Sequence, residues 1–155
     1  MDNSGLLFSI LIGLFAGLRS LTAPAVAAWA VHLGRLRIER PLSVIGSTPA
    51  VAIFTVLALL ELVADKLPNT PNRTAPRGLI ARIVTGGLTG ACVAAGAAQR
   101  PFIGGVLGAV GGVVGCFGGD QARTQLVRAL GTRDISIALV GDLVAIAGSV
   151  WVLFR

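Results

Sequence analysis

The sequence predicts an all-α integral membrane protein, a bundle of about five transmembrane helices in a single membrane domain over residues 1–155. Hydrophobic residues make up 54% of the chain and charged residues only 13%, whereas a typical soluble domain carries about 25% charged residues. Five apolar segments approach the roughly 20 residues that a helix needs to cross a bilayer. Connections rich in proline, glycine and arginine separate these segments, which indicates that they are separate helices.

The predicted spans cover residues 5–33, 48–65, 79–98, 102–126 and 135–154. The first is longer than one straight span requires, and it contains Pro24. Because proline lacks a backbone N–H and clashes with the preceding turn, we predict that this span is broken near residues 20–24. Residues 68–78 contain three prolines, so no helix should continue through them. Asp134 is expected to be the N-cap of the last helix.

Glycine recurs at four-residue spacing in the third and fourth spans. Small residues let helix backbones approach closely in lipid, where apolar side chains gain little by meeting one another. This pattern predicts tight helix packing within one subunit, an interface in a homodimer or higher homo-oligomer, or a glycine-lined pore or hinge. The predicted packing residues of the fourth span are Gly104, Gly108, Gly111, Gly112, Gly115 and Gly119.

Several charged residues lie inside the predicted spans. A charge at the centre of a membrane helix costs about 2.5 to 3.5 kcal/mol unless it meets a partner, so each should face the protein interior. We expect four of them to converge on a polar site at mid-depth that binds an ion or a substrate: Arg19, Glu61, Asp65 and Asp142. The alternative is that they form neutralised pairs that only hold the helices in register.

Three charge pairs are predicted from spacing and sign. Arg19 should pair with Glu61 or Asp142, and Arg82 with Asp65. Asp120 and Arg123 are three residues apart on one predicted helix and should pair locally. Arg82, Asp120 and Arg123 would therefore support the site without forming it.

The chain also contains a faint internal repeat. Glycine-rich stretches at residues 13–17 and 108–112 are each followed by polar residues and later by a span that bears an acid. Two such units facing opposite ways would resemble the inverted repeats of many transporters, whose sites form where interrupted helices meet. Basic residues are balanced between the two sides of the predicted topology, so the orientation is open, and a dual-topology antiparallel homodimer is one explanation.

Nothing in the sequence favours an enzyme. The single histidine, His32, lies at the end of the first span, and no nucleophile–base motif, phosphate-binding loop or metal-ligand cluster is visible. We expect no cofactor and no metal, and read Cys92 and Cys116 as small packing residues. The net charge of +6 fits anionic lipid headgroups. The basic connections lack stacking aromatic residues, so nucleic-acid binding is not expected.

Three stretches resemble a known family: AGLRSLTAPAVAAWA (16–30), ELVADKLPNTPNRTAP (61–76), and the glycine-rich GAVGGVVG followed by QARTQLVRALG (121–131). They resemble the bacterial family called domain of unknown function 4126 (DUF4126), over almost the whole chain. The resemblance implies a small protein of the bacterial cytoplasmic (inner) membrane and supplies no substrate. Family members often carry adjacent Glu and Asp in the last span; here Gly141 precedes Asp142, so only the second acid carries over.

Two functions remain open from the sequence. The first is a small multi-pass transporter or channel for an ion or small polar solute, in which the buried charges bind the permeant. The second is a non-catalytic membrane scaffold, or a protein that interacts with lipids or a partner, in which the same charges are structural.

Overall fold

The computed structural model describes residues 3–67 and 74–155. These residues form helices and connections without any strand. The helices are α1 (Ser4–Leu18), α2 (Thr22–His32), α3 (Thr48–Ala64), α4 (Pro76–Gly96), α5 (Pro101–Leu130) and α6 (Asp134–Phe154), with a short 3-10 helix at Leu42–Gly46. Helices α4, α5 and α6 are long and apolar enough to cross a membrane, and α1 and α3 are shorter apolar helices.

The helix boundaries follow local chemistry. Helices α4 and α5 begin at Pro76 and Pro101, a position where the missing N–H has no helical partner to lose. Gly131 ends α5 in the left-handed conformation, with φ of 60°, which glycine adopts without a steric cost. Most of the predicted non-helical connection, residues 68–73, lies outside the described residues.

The predicted break in the first span is confirmed, and it separates two helices that run in opposite directions. Arg19 is extended, with φ of −142° and ψ of 118°, and ends α1. Gly5 near the start of α1 lies against Ala97, just after α4. Leu36, which follows α2, lies against Gly96 at the same end of α4. Residues 5–33 are therefore a helical hairpin, and the prediction of one broken span is wrong.

As a result the helices alternate in direction along the chain. Helices α1, α3 and α5 run towards the break between α1 and α2, and α2, α4 and α6 run back. We call the two ends of the bundle the break end, which contains Arg19, and the terminal end, where the Arg155 guanidinium lies 3.1 Å from the centre of the Phe8 ring. Both chain termini therefore lie at one end, which the odd number of predicted spans did not allow.

Helices α1, α4 and α5 pack closely through glycines. A Cβ atom at Gly108 would collide with the carbonyl of Gly86 on α4, and one at Gly13 would collide with the carbonyl of Gly108. A Cβ at Gly112 would lie 2.6 Å from the Arg82 carbonyl oxygen. Similar approaches to backbone involve Gly104, Gly111 and Gly115, whereas Gly119 meets only the Leu18 side chain. These approaches lie within one chain, and a homo-oligomer stays a prediction.

Helix α5 is continuous through the second polar stretch of the faint repeat. Its 30 residues correspond to about 45 Å, longer than the roughly 30 Å hydrocarbon core of a bilayer. It ends at Leu130, beyond the predicted limit of residue 126. The polar residues that break the first span at Arg19–Leu21 thus have no matching break near Asp120, so the two units of the repeat differ in this feature.

Candidate functional site

Arg19 lies at the centre of a buried ion cluster at the break end. Its side chain is 1% exposed. The Nε atom donates to Oδ1 of Asp142 on α6 at 2.6 Å, and Nη2 lies 3.5 Å from Oδ2 of Asp65 at the end of α3. The extended conformation of Arg19 turns the chain between α1 and α2. The break therefore places one cation between acids from two other helices, and the predicted Arg19–Asp142 pair is present.

Lys66 is a fourth member of the cluster, and its contact with Asp142 is not predicted from the sequence. Its Nζ atom donates to Oδ2 of Asp142 at 3.0 Å and to the Leu62 carbonyl at 3.1 Å. Asp142 is therefore bound by one cation on each carboxylate oxygen. Lys66 follows Asp65 directly, but its position at the end of an apolar run is typical of a residue that leaves the membrane. Only its position beside α6 reveals the contact.

Glu61 has a different role from the predicted one. Its Oε1 atom accepts hydrogen bonds from the backbone N–H of Ser20 at 2.9 Å and from the Ser20 hydroxyl at 2.6 Å, and Oε2 accepts the N–H of Leu21 at 2.9 Å. These groups lie just before α2, whose cap residue makes no side-chain hydrogen bond of its own. Glu61 thus caps α2 from another helix, and its negative charge is stabilising beside the positive N-terminal end of α2. It is not the partner of Arg19.

The predicted pair of Arg82 and Asp65 is not among the contacts of the described residues. Arg82 is 5% exposed, and its Nε atom donates to the Gly17 carbonyl at 2.8 Å and Nη1 to the Gly78 carbonyl at 3.2 Å. Gly17 lies in the last turn of α1, where carbonyls lack helical partners. Arg82 therefore stabilises the end of α1 beside the ion cluster.

The predicted local pair of Asp120 and Arg123 is replaced by a pair between α5 and α6. Arg123 Nε and Nη2 donate to the two carboxylate oxygens of Asp134 at 2.7 and 2.5 Å. Asp134 is the first residue of α6, and the N-cap position belongs to Arg133, so the predicted capping role is wrong as well. A two-bond arrangement of this kind suits the planar guanidinium, and it joins the two helices near their short connection.

The cluster lies where α1 and α3 end, and its position at mid-depth in a membrane stays a prediction. Arg19 follows the last residue of α1, and Asp65 follows the last residue of α3. Asp142 reaches them from about 12 Å inside α6, counted from the start of that helix. Arg19 lies near the middle of the predicted first span. Because the chain reverses direction after Arg19, this residue instead lies at the end of α1.

One donor of the cluster remains unsatisfied among the described residues. The Nη1 atom of Arg19 is buried and has no hydrogen-bond partner there. Leaving a buried donor unpaired costs about 1 to 3 kcal/mol, and more when it is charged. Among the described residues, the cluster contains two cations, Arg19 and Lys66, and two acids, Asp65 and Asp142. The Nη1 atom of Arg19 can donate to one further acceptor, such as a water or an anion oxygen.

No group of three or more metal-binding side chains comes together within residues 3–67 and 74–155. His32 Nδ1 lies 2.9 Å from the Gly46 carbonyl, at the terminal end. Cys92 and Cys116 are buried thiols.

Comparison with known proteins identifies a family. The family described as a domain of unknown function (DUF4126) matches residues 6–154, nearly the whole chain. No curated protein and no solved structure matches the chain.

Proposed function

Because the chain belongs to the DUF4126 family, which is defined without an activity, we propose its function from the geometry of the ion cluster: a small membrane transporter or channel for an ion or small polar solute. In this proposal the apolar helices lie in the bacterial cytoplasmic membrane. The cluster at the break between α1 and α2 is the site that the permeant visits.

The observation that carries the proposal is the buried Nη1 atom of Arg19, which lacks a partner among the described residues. A cation buried only to pair helices is expected to use all its donors, because an unsatisfied one destabilises the fold. A donor kept available at a helix break is typical of transporter sites, where interrupted helices meet and polar groups face the permeant. Arg19 would donate to an acceptor atom of that permeant.

Protonation of Asp142 would alter the ion pairs of the site. Its two oxygens bind Arg19 and Lys66, so protonation of this carboxylate would weaken both ion pairs. The two cations would then be available to an anion, and loss of the proton would expel it. Coupling of this kind requires an acid that is shared between cations, which is the arrangement around Asp142.

Purified protein in liposomes tests the proposal, with protons, common ions and small metabolites as permeants. Arg19→Lys keeps the positive charge and removes the planar fork that carries Nη1. We expect it to lower flux about tenfold, the effect of one lost charge-assisted hydrogen bond. Arg128→Gln, an exposed arginine of α5, should leave flux unchanged. Absence of flux from the wild-type protein for every permeant would overturn the transport proposal.

A second candidate function is a membrane scaffold in which the charges are structural. It is favoured by Glu61, whose two carboxylate oxygens both cap α2, and by Asp142, whose two oxygens are both bound. For a scaffold, Arg19→Gln should reduce folding or assembly, and the wild-type protein should show no flux at all. For a transporter, folded Arg19→Lys protein should lose flux. Measuring folding and flux on the same preparations separates the two functions.

A further inference from the structure

A second polar feature lies at the terminal end, far from the ion cluster. A cavity of about 940 Å³ opens between the segment that follows α2 and the ends of α4 and α5. Its rim carries Arg37 and Arg40, and its wall contains small apolar residues of both helices, such as Ala95 and Gly105. It therefore combines a basic mouth, formed by Arg37 and Arg40, with an apolar slot along α5.

The basic mouth is not neutralised by the protein. Arg37 and Arg40 are exposed, and within the described chain neither side chain has a hydrogen bond or ion pair. Glu39 lies between them and also lines the cavity, which leaves one net positive charge from these three side chains. Helix α5 begins beside them with Pro101, and the positive end of a 30-residue helix adds to the attraction for an anion.

The apolar part has the shape of a slot. It follows α5 from Phe102 to Ala109, a length of about 10 Å along the helix. Phe102 at its mouth is 82% exposed. The residues of α4 and α5 that line the slot are small, among them Ala91, Gly105 and Ala109, and leave room beside the two helices. A flexible hydrocarbon chain fits such a slot better than a folded protein segment.

We propose that this cavity binds an anionic phospholipid, with its phosphate between Arg37 and Arg40 and one acyl chain in the slot along α5. A soluble phosphate would use the basic mouth and leave the slot uncovered, and a zwitterionic lipid would fill the slot without matching the net positive charge. The terminal end is also where the apolar helices stop, which is the level of lipid headgroups, and basic pockets between helices bind such headgroups. The proposal rests on the membrane placement and is independent of transport.

Lipid binding to the full chain in detergent tests the proposal, by native mass spectrometry and by the rise in Tm on lipid addition. Phosphatidylglycerol should bind and raise Tm, whereas phosphatidylcholine with the same acyl chains should bind more weakly. The double variant Arg37→Gln/Arg40→Gln should weaken phosphatidylglycerol binding about thirtyfold, from two lost basic contacts. The matched double variant Arg128→Gln/Arg133→Gln, exposed arginines at the break end, should bind as the wild type does.

The slot has its own pair of variants. Val106 lines the cavity and is 49% exposed, and Val110, one turn further along α5, is 52% exposed and outside the cavity lining. Val106→Trp should displace the acyl chain and reduce binding, and Val110→Trp should not. Inorganic phosphate should leave Tm unchanged. Equal binding of the two lipids, equal effects of the two arginine pairs, or an equal shift with phosphate would each overturn the proposal.

Discussion

Glu61 and Ser20 are joined by two hydrogen bonds, because one carboxylate oxygen of Glu61 accepts both the backbone N–H and the hydroxyl of Ser20, at 2.9 and 2.6 Å. They are 41 residues apart in the chain. Through this contact α3 satisfies backbone donors at the break that the residues before α2 do not satisfy themselves. The hairpin of α1 and α2 therefore depends on a carboxylate from a third helix.

Glu61→Gln should lower the free energy of unfolding by about 2 kcal/mol, the usual contribution of hydrogen bonds to a charged group. The amide nitrogen of glutamine is a donor and would face another donor, the N–H of Leu21 or Ser20. Ser20→Ala removes only the hydroxyl and should cost about 1 kcal/mol. Unfolding of both variants in mixed micelles measures the difference. An unfolding free energy for Glu61→Gln equal to that of the wild type would show that the cap contributes nothing.

Arg19 and Asp142 should be energetically coupled. Removing one partner of a buried ion pair leaves the other charge buried, which costs about 3 to 5 kcal/mol. We expect each single alanine variant to be strongly destabilised and the double variant to be less destabilised than the sum. Arg19 also pairs with Asp65, and Asp142 also pairs with Lys66, so each single variant leaves two charged partners without that contact. A double-mutant cycle on unfolding free energies checks this, and strict additivity would contradict the coupling.

Gly108 should tolerate no side chain. A Cβ there would overlap the carbonyl of Gly86 and approach the Cα of Gly90 on α4. Because packed helix backbones cannot separate at one residue alone, Gly108→Ala should cost at least about 2 kcal/mol, as overpacked cores do. Gly118→Ala is the matched control on α5, where nothing lies within 4 Å of the added atom. It should be neutral or stabilising by up to about 1 kcal/mol. In detergent, Gly108→Ala should lower Tm, and Gly118→Ala should leave Tm unchanged or raise it. Equal Tm values for the two variants would contradict the close packing at Gly108.

Replacing Ala98 with glycine should stabilise the protein. It lies in the turn between α4 and α5 with φ of 55°, a left-handed conformation that costs a residue with a Cβ about 1 to 2 kcal/mol. Glycine also loses more freedom on folding, which offsets part of the gain. Ala98→Gly should therefore stabilise the protein by about 0.5 to 1 kcal/mol, seen as a higher Tm. A lower Tm would indicate that the side chain makes contacts that outweigh the strain.

Several features could be predicted because they depend on nearby residues. The apolar segments identify five of the helices, since burial of apolar surface and backbone hydrogen bonding set that pattern directly. Pro24 locates the break to within a few residues, because its ring disturbs only the preceding turn. The need to pair Arg19 also follows from its sequence position, and Asp142 was one of the two acids expected to meet it.

Other features could not be predicted because they depend on how helices meet. Arg123 could pair with Asp120 on its own helix or with Asp134 on the next one, and spacing favours the first. The geometry of the α5–α6 connection favours the second, since both oxygens of Asp134 reach the guanidinium. Lys66 likewise enters the ion cluster only because α6 passes beside the end of α3.

From the sequence we could predict that the chain is helical and apolar, that its first segment breaks near Pro24, and that Arg19 requires an acidic partner. The three-dimensional structure was needed to see that α2 turns back towards the terminal end, that Glu61 caps it, and that Asp142 binds two cations. The first group follows from hydrophobicity, backbone geometry and the cost of an unpaired charge, which act locally. The second depends on contacts between residues far apart in the chain, such as Leu36 against Gly96, and no local pattern encodes which helix faces meet.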